Sequence, residues 1–178
     1  DVVFDSDIII NQFKYKNPDI IKNYFSEKND LIIFTNHKLN LNYKNKSFLI
    51  NGEGEVQLET QKDKIKYLIS KEGDDFTVNS ELILKNINLK GQKFLKIYFP
   101  KINDNINFNS QKINIYYKNN IFSIAGSGKI KIEKDFDEIN YFLEKKENKI
   151  NFNTEVNIKN TNFKIDNINY KKNDKSKL

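Results

Sequence analysis

The chain has 178 residues, 30% of them charged, and its formal net charge of +6 is carried by 30 lysines with no arginine. Arginine supplies the bidentate contacts that nucleic-acid readers make to guanine and phosphate, so its absence weighs against a nucleic-acid partner. There is no cysteine, hence no disulfide or thiol chemistry, and no apolar stretch approaches the ~20 residues that span a bilayer.

The apolar residues are chiefly Ile, Phe, Leu, Tyr and Val, with a single alanine, Ala125. Beta-branched and aromatic side chains suit a pleated, half-buried surface, so the composition favours strands over helices. Sliding the sequence by 74 positions lays residues 16–90 over 90–164 with 28 of 75 identical. The matches include Tyr24/Tyr98, Tyr43/Tyr117, Phe48/Phe122, Gly52/Gly126, Gly54/Gly128, Asp63/Asp137 and Tyr67/Tyr141. A tandem repeat of this kind signals an extended or stacked architecture. The expected organisation is the end of a preceding repeat over 1–15, repeat units over 16–89 and 90–163, and the start of a next repeat with a polar tail over 164–178. The chain is accordingly expected to be a slice of a longer array.

In chain order, Asn17-Pro18 opens a predicted short helix with Ile20, Ile21, Tyr24 and Phe25 on one side. Period-2 alternation then predicts strands through Leu39, Leu41 and Tyr43, through Phe48, Ile50, Val56 and Leu58, and through Ile65, Tyr67 and Ile69. Phe76, Val78, Leu82 and Leu84 make a fourth. Phe94, Leu95, Tyr98 and Phe99 repeat the helical spacing, and Pro100 ends it. The second unit follows with Ile113, Ile115 and Tyr117, then Phe122, Ile124, Gly126, Gly128, Ile130 and Ile132. Ile139, Tyr141 and Leu143 come next, and Ile150, Phe152, Thr154, Val156 and Ile158 last. Turns rich in Asn, Asp and Lys separate these runs, as in hairpins. The Lys171–Leu178 tail reads as polar and frayed.

Gly52, Gly54, Gly126 and Gly128 fall mid-strand on the apolar face. A phosphate-cradling loop would need a strand-to-helix junction, which is lacking there. Glycine in such a place lets a sheet bend or another group approach closely, and a sheet that curls is the preferred reading.

No catalytic or metal site is expected. His37, aligned with Gln111, reads as a surface residue at the polar start of a strand. Asp63/Asp137 and Glu59/Glu133 read as solvated turn acids, and Ser123 and Ser127 lack a neighbouring base. Nothing calls for a cofactor, and an enzyme is not expected.

The apolar face needs a cover. If two halves of the sheet close on each other, the result is a sandwich ~10 Å thick, which patterning alone favours. If they stay splayed, the face lines a trough open to ligand. The blocks "FLINGEGEVQLETQKDKIKYLISKEGDDFTVNSELILKN" and "FSIAGSGKIKIEKDFDEINYFLEKKENKINFNTEVNIKN", joined through "GQKFLKIYFPKI", resemble the repeated strands of the AsmA-like family, in particular its large YhdP- and TamB-type bridge-like lipid-transport members. The resemblance implies a mainly β fold: a long antiparallel meander curled into an open, taco-like groove, with short helices between repeats. It implies phospholipid as cargo and a periplasmic location between inner and outer membranes. The inner-membrane anchor would lie outside this segment, and envelope proteins are further candidate partners. The groove lining would then be Phe48, Ile50, Val56, Leu58, Ile65, Tyr67, Phe76, Val78, Phe122, Ile124, Ile130, Ile132, Ile139, Tyr141, Ile150, Phe152, Val156 and Ile158. Rim lysines would face headgroup phosphates, and Ile130→Asp would block passage. The alternative is a structural stalk- or adhesin-like β-repeat with a closed core and no ligand.

Overall fold

The computed structural model describes residues 2–17 and 30–173. Long apolar-polar alternation gives nine strands in succession: β1 (Val3–Lys16), β2 (Leu31–Lys44), β3 (Ser47–Gln57), β4 (Lys62–Glu72), β5 (Asp75–Lys90), β6 (Asn105–Lys118), β7 (Ile121–Lys131), β8 (Asp137–Lys146) and β9 (Lys149–Asn157). They form one antiparallel meander in chain order, mainly β at 72% strand, and the sheet does not close into a barrel. Two short strands, β10 (Phe163–Ile165) and β11 (Tyr170–Lys172), pair separately.

Tight turns join β2 to β3, β4 to β5, β6 to β7 and β8 to β9 at one end of the sheet. Asn45 and Lys46 both take positive φ (51° and 67°), as do Asn119 and Asn120 (45° and 70°). That is the type I′ geometry whose twist matches flanking strands, and asparagine tolerates it well. The longer connections lie at the opposite end.

Residues 74 apart make matching contacts. The N–H of Asn17 donates to the carbonyl of Asp30, and that of Gly91 to the carbonyl of Asp104. Register shifts fall between Thr35 and Lys38 in β2 and between Asn109 and Lys112 in β6. Each contains a residue of positive φ, Asn36 (56°) and Ser110 (52°). The extra residue restores apolar alternation to one face on both sides of the bulge. Phe34 thus shares a face with Leu39, and Phe108 with Ile113.

Buried aliphatic residues gather at the end with the longer connections. Ile102, Ile106, Ile130, Ile132 and Ile139 form one cluster, with Leu95, Phe99, Phe108, Tyr141 and Val156 packed against it. Leu84 and Ile87 form another with Leu58, Leu82, Leu89, Phe108 and Ile113. Each fully buried side chain of this kind contributes about 1.5–3 kcal/mol.

Three expectations need correction or fall outside the described region. The helix predicted around Phe94 is a single 3-10 turn, Lys93–Ile97. The stretch closes with the Tyr98 and Phe99 N–H groups both donating to the Leu95 carbonyl, and Pro100, with no N–H to donate, ends it. Leu95 and Phe99 face the core, whereas Phe94 is 63% exposed. The helix predicted through Ile20, Ile21, Tyr24 and Phe25 lies outside the described residues. The tail is not frayed at its start: Lys172 is buried in β11 and donates through Nζ to the Lys159 carbonyl at 3.0 Å.

Candidate functional site

Directly paired residues of an antiparallel sheet project to the same side, so the register fixes what each face displays. One row runs through all nine strands as Ser6, Leu41, Ile50, Ile69, Val78, Tyr117, Phe122, Lys145 and Ile150. The next, one pair further from the hairpin turns, reads Ile8, Leu39, Gly52, Tyr67, Ser80, Ile115, Ile124, Leu143 and Phe152. Nine strands ~4.8 Å apart make these rows roughly 38 Å long. The opposite face carries Lys, Asn, Glu and Ser, with isolated apolar residues such as Leu68 and Phe142.

All of the sequence-predicted lining residues that lie within strands share this apolar face, and Leu58, Ile132 and Ile158 follow immediately after β3, β7 and β9. Their burial is graded. Val56, Ile130, Ile132 and Ile139 are fully buried at the core end. Phe48, Ile50, Leu58, Ile65, Tyr67, Val78, Phe122, Ile124, Tyr141, Val156 and Ile158 are half-buried. Phe76 (36%), Ile150 (65%) and Phe152 (67%) are exposed. The same face continues past the predicted lining onto β1. Phe4, Ile8, Phe13 and Tyr15 lie there, and Phe13 stacks on Phe34 with ring centroids 4.5 Å apart. The alternation of Phe4, Ser6, Ile8 and Ile10 was the available signal.

The paired glycines serve close approach. A Cβ on Gly52 would fall under 3.0 Å from the Tyr67 ring, and one on Gly126 equally near the Tyr141 ring. These pairs stand opposite in register, each ring lying over the backbone that glycine leaves bare. His37 covers Gly54 and Gln111 covers Gly128 in the same manner.

His37 is therefore not a surface residue. It is 1% exposed, turned inward by the bulge at Asn36. Its Nε2 lies 3.0 Å from the Glu55 carbonyl and its Nδ1 3.1 Å from the Tyr67 hydroxyl. A carbonyl only accepts, so Nε2 carries a proton, and in the neutral ring Nδ1 then accepts from the tyrosine hydroxyl. Phe13 and Phe34 approach the imidazole edge-on. Gln111 donates instead to the carbonyls of Asn109 and Lys129, at 3.1 and 2.8 Å.

The recurrent acids are not solvated either. Asp63 and Asp137 are each 3% exposed, Glu59 8% and Glu133 7%. Asp63 Oδ1 accepts the Lys85 N–H at 2.8 Å. Asp137 accepts the N–H groups of Lys159 and Asn160, both at 2.8 Å, and the Thr161 hydroxyl. Glu59 accepts from the Asn88 N–H and side-chain amide, and Glu133 from the Asn162 amide. The β4–β5 ladder ends at Lys64 and Ile83, and two residues further on the Lys85 amide finds its acceptor in the Asp63 side chain instead of a β4 carbonyl. Burial pushes the Asp63 carboxyl up from its ordinary value, against the Lys85 N–H and charge. Burial likewise raises the phenols of Tyr67 and Tyr141. Among the described residues no three His, Cys, Asp or Glu gather as a metal site, and no helix is long and apolar enough to cross a membrane.

No family model, no curated protein and no solved structure matches the chain.

Proposed function

We propose that this sheet is a segment of a bridge-like lipid conduit, with acyl chains lying on the apolar face and travelling across the strands. The observation that carries the reading is the pair of rows running through nine strands, apolar except at Ser6, Lys145, Gly52 and Ser80, half-buried in mid-sheet and exposed at its edges. An apolar surface of that extent costs free energy in water and is stabilised by anything greasy laid on it. In this reading the sheet curls into a trough, its twist increased by the two bulges, and the 74-residue unit is the element that extends it. The AsmA-like resemblance adds the setting: a periplasmic bridge carrying phospholipid between an inner-membrane anchor and the outer membrane. Passive partition needs no cofactor and no catalytic group.

The test contrasts neighbouring residues that alternate between faces. A photoactivatable side chain at Ile124 should crosslink phospholipid from vesicles, and one at Ser123 should not. Ile124→Asp should abolish crosslinking at Leu143 beside it. Ile130 is unsuited to this purpose because it belongs to the buried cluster and its replacement would cost the fold. Equal labelling at Ile124 and Ser123, or none at either, would leave the structural β-repeat as the better reading.

A further inference from the structure

Along the nine strands the apolar face carries only four charged side chains, Asp63, Lys71, Asp137 and Lys145. The two aspartates are buried at the core end and engaged by backbone amides. The two lysines, 74 residues apart, are exposed at the hairpin end. Lys71 lies between Phe48 and Phe76, and Lys145 between Phe122 and Ile150.

Neither lysine stands in an ion pair among the described residues. On the polar face Lys62, Lys66, Lys112 and Lys118 pair with Glu55, Glu53, Glu81 and Asp75. Lys38, Lys64 and Lys129 on that face stand outside any ion pair among the described residues too, so Lys71 and Lys145 are set apart by their apolar surroundings. Edge protection does not explain Lys71 and Lys145, because β4 and β8 are interior strands. A lysine stem can lie along neighbouring apolar surface while its ammonium reaches water. The resulting surface is a cation at the margin of an oily face, and it complements an amphiphile with an anionic head.

We propose that Lys71 and Lys145 are the headgroup-contact points of the conduit, each holding the phosphate of a phospholipid whose acyl chains lie on the adjoining rows. This rests on the lipid-conduit reading. The two points are four strands, or ~19 Å, apart, so the segment would offer two successive stations rather than one pocket.

The test titrates the isotope-labelled chain at low salt with three probes and follows its backbone amides by NMR. The probes are dihexanoylphosphatidylglycerol, dihexanoylglycerol with the same chains and no phosphate, and inorganic phosphate. Both lipids should shift the amides around Ile69 and Ile124. Lys71→Gln/Lys145→Gln should weaken the phosphate-bearing lipid about three- to fivefold, the range for exposed charge contacts, and leave dihexanoylglycerol unchanged. Lys71→Arg/Lys145→Arg should restore the lost affinity. Unchanged phosphatidylglycerol affinity in the glutamine variant overturns the lysine assignment and leaves the apolar-face reading standing. Failure of both lipids to bind overturns both. Inorganic phosphate binding at these lysines as tightly as the lipid shows a plain anion site and overturns the lipid assignment.

Discussion

Replacing Gly126 by alanine sets two effects of opposite sign against each other. Glycine loses more backbone entropy on folding than alanine, so by propensity alone the change should stabilise a strand by up to ~1 kcal/mol. The added methyl, however, would fall under 3.0 Å from the Tyr141 ring, nearer than a Cβ can stand. The ring must swing aside, and it packs against the Ile102, Ile106, Ile130, Ile132 and Ile139 cluster. Uncovering roughly 80–100 Å² of apolar surface costs ~2–2.5 kcal/mol at ~25 cal/mol per Å². The net expectation is destabilisation by about 1–1.5 kcal/mol, read as a lower urea midpoint with unchanged m-value. In a Tyr141→Ala background the obstacle is gone and Gly126→Ala should be neutral or stabilising, a coupling of at least ~1 kcal/mol. A higher midpoint for Gly126→Ala alone, or additive single and double variants, would refute the account of the glycine-tyrosine pair.

Asp63→Asn should stabilise the fold at neutral pH, because the amide oxygen can still accept the Lys85 N–H without burying a charge. The folded-state pKa of Asp63 is raised above its ordinary 3.8, so the native state holds the proton more tightly than the unfolded chain. Its favourable contribution is therefore complete below the unfolded value and is lost as pH rises through the folded value. The advantage of the asparagine variant should accordingly vanish as pH falls toward that unfolded value, and urea titrations across this range will show whether it does. Asp137→Ala should be the more damaging of the two aspartate truncations. It strands two backbone N–H groups and the fully buried Thr161 hydroxyl, at ~3–5 kcal/mol in all, against ~1–2 kcal/mol for the single donor lost in Asp63→Ala. Equal midpoints for these alanine variants would contradict that assignment.

The strands were legible because their alternation is long and uninterrupted: Phe122 to Ile132 on the page is β7 and its following residue in space. What the pattern concealed was the bulge. Around Asn36 and Ser110 the alternation slips by one, so that Thr35, His37 and Gln111 read as the solvent-facing start of a strand. One left-handed residue turns His37 and Gln111 inward, where glycines leave space for them. The buried acids were hidden for a related reason. Asp and Glu beside Asn and Lys read as turn chemistry, and only the ladder ends reveal which amides need an acceptor. Matching Asp63 and Lys85 with Asp137 and Lys159 across the repeat was the usable clue, since the acid and the amide it accepts from recur at the same 22-residue separation. The short helix predicted at Phe94 is the five-residue 3-10 stretch Lys93–Ile97, because apolar spacing over one turn does not distinguish a 3-10 from an α-helix.

The register also determines how the repeat is laid across the sheet. Following paired residues from β2 leads from Leu39 to Ile115 and from Leu41 to Tyr117, and from β4 it leads from Tyr67 to Leu143. Sequence equivalents of those three residues are Ile113, Ile115 and Tyr141, each two residues further from the hairpin turns. Every four strands, equivalent positions thus step ~7 Å along the strand while crossing ~19 Å of sheet, a tilt of about 20°. A flat stack of identical units would place equivalents in one row. A sheared stack places them on a diagonal, the stagger that strand tilt produces. Lys71 therefore stands one row nearer the turns than Lys145, and the Gly52–Tyr67 pair one row nearer than Gly126–Tyr141. A molecule moving across the strands while keeping its charged end on successive lysines would follow that diagonal, with its chains passing over a tyrosine ring once in each unit.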